Sequence, residues 1–160
     1  MKPNICIIAV GGLKEAPLEK AAEMYLARLK PYGAISVIEL PDEPAAENLS
    51  GAERLAVLAR EGGRVLNRTR PLDIIASMAV EGRLGDLPFF CDLINKTAFE
   101  QRRLDFIIGG SLGLADSVLQ RSKYKISLSG LTFTHRLTRL LLFEILCRAL
   151  IKNQNSHYQI

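Results

Sequence analysis

Leu104-Asp105-Phe106-Ile107-Ile108-Gly109-Gly110-Ser111-Leu112-Gly113-Leu114-Ala115-Asp116 reads as a strand that runs into a glycine pair, turns and starts a helix. Alternation of this kind marks an α/β domain, and it recurs along the chain. Upstream, Asn4–Val10 is a continuous apolar run ending at Gly11-Gly12, the pattern of a buried strand. An amphipathic helix is expected from Pro17 to Lys30, stopped by Pro31 and Gly33. Ala34–Leu40 follows as the second strand, and Pro41–Pro44 as a turn. Then come a helix over Ala45–Leu66, a strand over Leu72–Val80 running into Glu81-Gly82-Arg83, and a helix from Asp86 to Arg103. Beyond the glycine loop, a short helix over Ala115–Arg121, a short strand at Lys125–Leu128 and a long helix from Thr134 to Asn153 complete the pattern. There are no repeats, low-complexity tracts or linkers, so residues 1–160 are expected to form a single domain.

The composition bounds the function. A chain of 160 residues with 48% hydrophobic and 24% charged content can close one good core. With 6% aromatics and no Trp, that core must be built mainly from Leu, Ile, Val and Ala. The apolar run Leu140–Leu150 is broken by Glu144 and Arg148 and falls short of the roughly 18 residues a membrane span needs. No segment has a signal-peptide pattern, so a cytoplasmic protein with no membrane contact is expected. Cys6, Cys91 and Cys147 are far apart in apolar contexts, which suits buried reduced thiols. With only His135 and His157 as imidazole ligands, no metal site is expected. The net charge of +4 fits a polyanionic partner. So do the arginines at 60, 64, 68 and 70 and again at 83, 102, 103, 136, 139 and 148, although a solvated helix face accounts for any single one.

Three segments after expected strands carry the polar chemistry: Glu81–Arg83, Gly109–Leu114 and Ser127–His135. Ligands of open parallel sheets bind at the carboxyl ends of strands, which makes these segments the natural site. The glycine loop suits a nucleotide cofactor, but its spacing is G-G-x-x-G. That is neither the dinucleotide fingerprint nor a P-loop, and a tight turn explains it equally well. In Ser127–His135, the hydroxyls of Ser129, Thr132 and Thr134 flank Gly130. Thr132 or Thr134 can cap the following helix, while exposed backbone groups there can read an adenine edge. The last helix is apolar on too many sides for one buried stripe. It is either the central core helix or packs on another subunit, and a symmetric dimer is the preferred reading. Glu144 and Arg148 stand one turn apart and are expected to pair.

Taken together, I-I-G-G-S-x-G-L at Ile107–Leu114, S-L-S-x-L-T-F-T-H at Ser127–His135, the Arg139–Ala149 stretch and Tyr158 resemble the ribosomal RNA large-subunit methyltransferase H family. Gly11 and Val80–Arg83 fit as well, so the resemblance covers the chain. It implies a SPOUT-class α/β fold with a C-terminal trefoil knot, a homodimer, and S-adenosylmethionine bound in bent form within the knot loops. The implied reaction is methylation at N3 of a pseudouridine in 23S rRNA on assembled ribosomes. Carried over by position, the cofactor contacts are Met78, Gly110, Ser129, Gly130, Leu131, Thr132, Phe133 and Thr134. Met78 replaces the family's usual Leu at similar volume. His135 and Arg139 match positions near the target base, and His157 and Tyr158 complete the catalytic set. Which of His135, His157 and Tyr158 takes the N3 proton stays open. The tail departs from the family's Pro-Tyr-His-base ending. Gln159 stands for the histidine and Ile160 for the base, and a glutamine can hydrogen-bond but not titrate. That change makes a nonenzymatic ribosome-binding protein of the same fold the alternative. A flavodoxin-like nucleotide-binding enzyme is a second one.

Overall fold

The computed structural model describes residues 1–44 and 46–156. Its elements in chain order are β1 (Asn4–Val10), α1 (Ala16–Leu29), β2 (Ala34–Leu40), α2 (Gly51–Leu66), β3 (Ile74–Leu84) and α3 (Leu87–Phe99). They continue with β4 (Leu104–Ile108), α4 (Asp116–Arg121), β5 (Tyr124–Ser127) and α5 (His135–Ser156). The five strands form one parallel sheet in the order β2-β1-β4-β3-β5. The chain moves outward from β1 to β2, then returns across the sheet to β3. The β1/β4 boundary is thus the switch point where such sheets open a crevice at their carboxyl ends.

Strand side chains alternate between faces, and both faces here are covered. β1 sends Ile5, Ile7 and Ala9 into a core with α1, α3 and α5, where Phe90, Phe106 and Phe143 are buried. Its Cys6, Ile8 and Val10 face α2 and α4, packing with Val65 and Val118. This double burial is why Asn4–Val10 reads as an unbroken apolar run. The expected β1 and β2 agree with the observed spans to the residue.

The three boundaries that move by four residues or more from the sequence reading do so for a local reason each. α2 starts at Gly51 rather than Ala45, because a capping box sets its start: Ser50 Oγ accepts from the Glu53 N–H, and Glu53 Oε2 accepts from the Ser50 N–H. α3 stops at Phe99 rather than Arg103, and Gln101 then turns left-handed at φ 53°. β3 continues to Leu84, so Glu81-Gly82-Arg83 lies within the strand rather than in a loop after it. Met78 and Arg83 both register with Ile126 of β5, so the residues between them bulge outward. At Gly82 a Cβ would stand 2.6 Å from the Lys125 backbone, an approach only glycine permits.

At the amino ends of β3 and β4, Arg103 is clamped between two acids. Its guanidinium lies 2.8 Å from Asp73 Oδ2 and 2.7 Å from Asp105 Oδ1. Burial pushes the Asp105 carboxyl up to about 6, against the pull of Arg103. Several other arginines are also committed within the fold: Arg64 to Pro41 and Glu43, Arg102 to Leu72, and Arg121 to Arg70 and Pro71. Arg148 pairs with Glu144 at 2.6 Å. The three cysteines are free and buried. Among the described residues there is no cluster of metal-ligating groups, and no helix is long and apolar enough to cross a membrane.

Candidate methyl-donor site at the carboxyl ends of the strands

Four segments converge above the sheet. β1 leads to the start of α1, which brings Glu15 and Leu18; the bulge of β3 brings Met78, Ala79, Val80 and Glu81. β4 leads into Ile108–Leu114, and the β5–α5 connection brings Thr132, Phe133 and Thr134, with His135 and Arg136 opening α5. They enclose a cavity of about 730 Å³, within the range of small-molecule sites. A smaller hollow of about 50 Å³ adjoins it, sharing Met78 and Phe133 and adding Ser129 and Leu131.

The glycine loop owes its shape to close backbone approach. A Cβ on Gly109 would stand 2.3 Å from the Gly113 carbonyl oxygen. The loop folds back on itself, with the Gly113 N–H donating to the Gly110 carbonyl at 3.1 Å. On the opposite wall, Ser127 Oγ donates to the Ser129 carbonyl at 2.7 Å, and Ser129 Oγ accepts from the Leu131 N–H at 3.0 Å. Thr134 caps α5: its Oγ1 accepts from the Leu137 N–H at 3.3 Å and its carbonyl from the Thr138 N–H at 2.9 Å. The amino terminus of a 22-residue helix therefore opens at the cavity.

His135 is half-buried at the first turn of α5. Burial, then the Arg136 charge, lowers its pKa, while Asp42 pulls the other way. The imidazole is therefore neutral at neutral pH and free to accept a proton. Arg136 is held by Glu15 across the cavity rim.

The expected residues divide into three groups. Met78, Gly110, Thr132, Phe133, Thr134 and His135 share the large cavity, and Ser129 and Leu131 line the adjoining hollow. Gly130 lines neither. Arg139, expected near the target base, lies behind the wall with 2% exposure. Its guanidinium donates to Glu39 Oε1 at 2.9 Å and to the Gly11 carbonyl at 3.2 Å, which commits it to the ends of β1 and β2. His157 and Tyr158, with Gln159 and Ile160, lie outside the described residues.

Glu15, Leu18 and Leu119 of the wall carried no sequence signal of their own. Leu119 joins Leu112 and Leu114 of the glycine loop in an apolar wall, and Glu15, Leu18 and Arg136 close the rim. Apolar surface for a flat base, backbone polar groups at Thr132–Thr134 and a glycine cradle without lysine suit a nucleoside whose charge is cationic rather than phosphate. S-adenosylmethionine meets that description, and these residues fit it.

Residues 3–159 match the family model described as a predicted SPOUT methyltransferase, which sets the class. A probable methylase family protein from Haemophilus influenzae Rd KW20 shares the fold at a TM-score of 0.56 and 12% identity, covering 100% of this chain and 72% of that one. Relatives named ribosomal RNA large subunit methyltransferase H match nearly end to end. The protein from Carboxydothermus hydrogenoformans is 40% identical, covering 96% of this chain and 99% of its own. Those from Oenococcus oeni and Bacillus pumilus are 38% and 42% identical, covering 97% and 91% of this chain and 98% and 92% of theirs. The chain belongs to the ribosomal RNA large subunit methyltransferase H family, within the SPOUT methyltransferases.

Proposed function

We propose that this protein binds S-adenosylmethionine in the cavity above β4 and methylates N3 of a pseudouridine in 23S rRNA on assembled cytoplasmic ribosomes. The observation that carries the reading is the convergence of Met78, Gly110, Thr132–Thr134 and His135 on one cavity at the carboxyl ends of the strands. Bound there, S-adenosylmethionine supplies an electrophilic methyl group. The chain's own contribution is placement: Met78, Leu112 and Leu114 exclude water from one side, and the Thr132–Thr134 backbone fixes the nucleoside edge. His135 is the described residue suited to take the N3 proton as the new C–N bond forms. Arg139 acts as a positioning residue, tying the first turns of α5 to Gly11 and Glu39. His157 and Tyr158 belong to the same proposed catalytic set, and Ser129 through Leu131 to the cofactor wall.

The proposal treats residues 1–160 as one domain whose C-terminal segment carries the trefoil knot, and the active unit as a homodimer. α5 spends Leu142, Phe143, Leu146 and Leu150 inside its own subunit. Leu137 and Leu141, four residues apart, stay at least partly exposed beside the cavity and offer apolar surface for a second copy. The test is direct. Purified protein is titrated with S-adenosylmethionine by calorimetry, then given tritiated donor and unmodified ribosomes, and the rRNA is mapped by mass spectrometry. Saturable binding with label at one pseudouridine N3 is expected. Cofactor binding with no label in rRNA would overturn the enzymatic reading in favour of a ribosome-binding role.

A further inference from the structure

α2 carries an acid where its pattern calls for an apolar residue. Val57, Glu61 and Val65 recur at i, i+4 and i+8, and all three are buried. Glu61 is only 6% exposed. Its Oε1 accepts from the Glu43 N–H at 2.9 Å, but among the described residues its Oε2 has no hydrogen-bond partner. A buried carboxylate oxygen without a donor is costly, so its presence asks for a use.

Its position suggests that use. A Cβ on Gly110 would stand 3.5 Å from Glu61 Oε2 and 3.6 Å from Oε1, and Gly110 itself is part of the cavity wall. The carboxylate therefore sits one backbone thickness behind the cofactor surface. Around it, the β2–α2 connection brings Asp42 and Glu43, and α2 brings Arg64, which Glu43 and the Pro41 carbonyl already hold. Val10 of β1 and the glycine loop bring no charge. Burial raises the Glu61 carboxyl, the Glu43 N–H lowers it, Asp42 and Glu43 raise it further, and Arg64 opposes them.

We propose that Glu61 sets the cavity's preference for a cationic methyl donor over its neutral demethylated product. The inference rests on the S-adenosylmethionine reading above. In that reaction the sulfur–methyl bond breaks, a nitrogen–methyl bond forms, the target's proton leaves to a base, and the sulfur loses its positive charge. A buried negative charge behind the wall favours the ligand before transfer and is indifferent to the ligand after it, so fresh donor displaces product more readily. Glu15 and Glu81 also line the cavity, but both are exposed to water, and Glu15 is paired with Arg136. Across roughly 8–12 Å at an effective dielectric constant of about 20, one unit charge changes the affinity for a cation by about ten- to thirtyfold.

Glu61→Gln is isosteric and keeps an oxygen for the Glu43 N–H. Calorimetry of the full chain with S-adenosylmethionine and with S-adenosylhomocysteine separates the outcomes. The expected result is an affinity for the methyl donor weakened about tenfold, with affinity for the product within twofold of wild type. Equal weakening of both, or of neither, would overturn the proposal and leave Glu61 a scaffold residue. A second measurement does not depend on that variant folding. In a His135→Gln background, which removes the imidazole's own titration, the donor-to-product affinity ratio should rise with pH as Glu61, its carboxyl raised by burial, ionises. A flat ratio would also overturn it. Wild-type protein that binds neither ligand would instead defeat the cofactor reading, and this inference with it.

Discussion

Gly109→Ala tests whether the glycine loop is shaped for a ligand. The added Cβ would stand 2.3 Å from the Gly113 carbonyl oxygen and 2.7 Å from its carbon, both backbone atoms that no rotamer change can move. Ordinary contact requires the two sides of the loop to separate by about 1 Å. Overpacking of that kind costs about 1–3 kcal/mol, or a fall of roughly 5 °C in melting temperature for a chain of this size. The effect on function should be larger than the effect on stability, because a displacement of about 1 Å in a positioning wall lowers rates by on the order of a hundredfold. Calorimetric titration with S-adenosylmethionine, single-turnover methyl transfer and thermal melting read the three quantities. Gly63→Ala, on the exposed side of α2 and away from the cavity, is the control: nothing lies within 4 Å of its added Cβ, and it should bind donor within twofold of wild type. If Gly109→Ala binds and transfers like wild type, the loop is only a turn and the cofactor does not lie on it.

Arg103→Met should lower stability by about 3–5 kcal/mol at pH 7, because it leaves Asp73 and Asp105 buried without their counter-charge. Asp105 titrates near 6 in the folded protein, above the roughly 3.9 of a free carboxylate, so its contribution improves as pH falls through 6 and is lost as pH rises. The deficit of Arg103→Met should therefore narrow in melts near pH 5, and an unchanged deficit would contradict the assignment. For methyl transfer, the rate should hold down to a pH below the usual histidine range and fall only as His135 protonates, since burial and Arg136 lower its pKa. His135→Gln should erase that acid limb while leaving donor affinity within a few fold, and a limb that persists would move the base elsewhere. Arg139→Met should cost about 2–3 kcal/mol in chemical denaturation by stranding the Gly11 carbonyl. It should lower kcat more than donor affinity, and a selective loss of affinity would place Arg139 at the cofactor instead.

The comparison of sequence and structure separates local from non-local causes. The spans of β1 and β4 follow from apolar runs, because burial on both faces writes itself into consecutive residues, while the edge strand β2 is delimited by Gly33 and Pro41. The start of α5 was legible to within a residue, since a hydroxyl cap acts over one turn. The end of β3 was not. Glu81-Gly82-Arg83 reads as a loop until β5, some forty residues later, supplies a partner for Arg83 and Leu84. The resemblance places Arg139 near the target base, but it could not show the partners that bury it, Gly11 and Glu39, which come from the far side of the sheet.

By itself, the sequence determined the α/β alternation, the glycine loop, the hydroxyl-rich helix start and the family those motifs resemble, because each is a matter of residues within a few positions of one another. Tertiary structure alone decided that Met78, Gly110 and Thr132–His135 face one cavity, that Arg139 stands behind it, and that Glu61 lies against Gly110. Glu61 did leave a trace, as an acid on an apolar stripe, but a helical period reports only that a face is buried. What it is buried against depends on strand order and on crossovers that bring distant segments together, which no local pattern encodes.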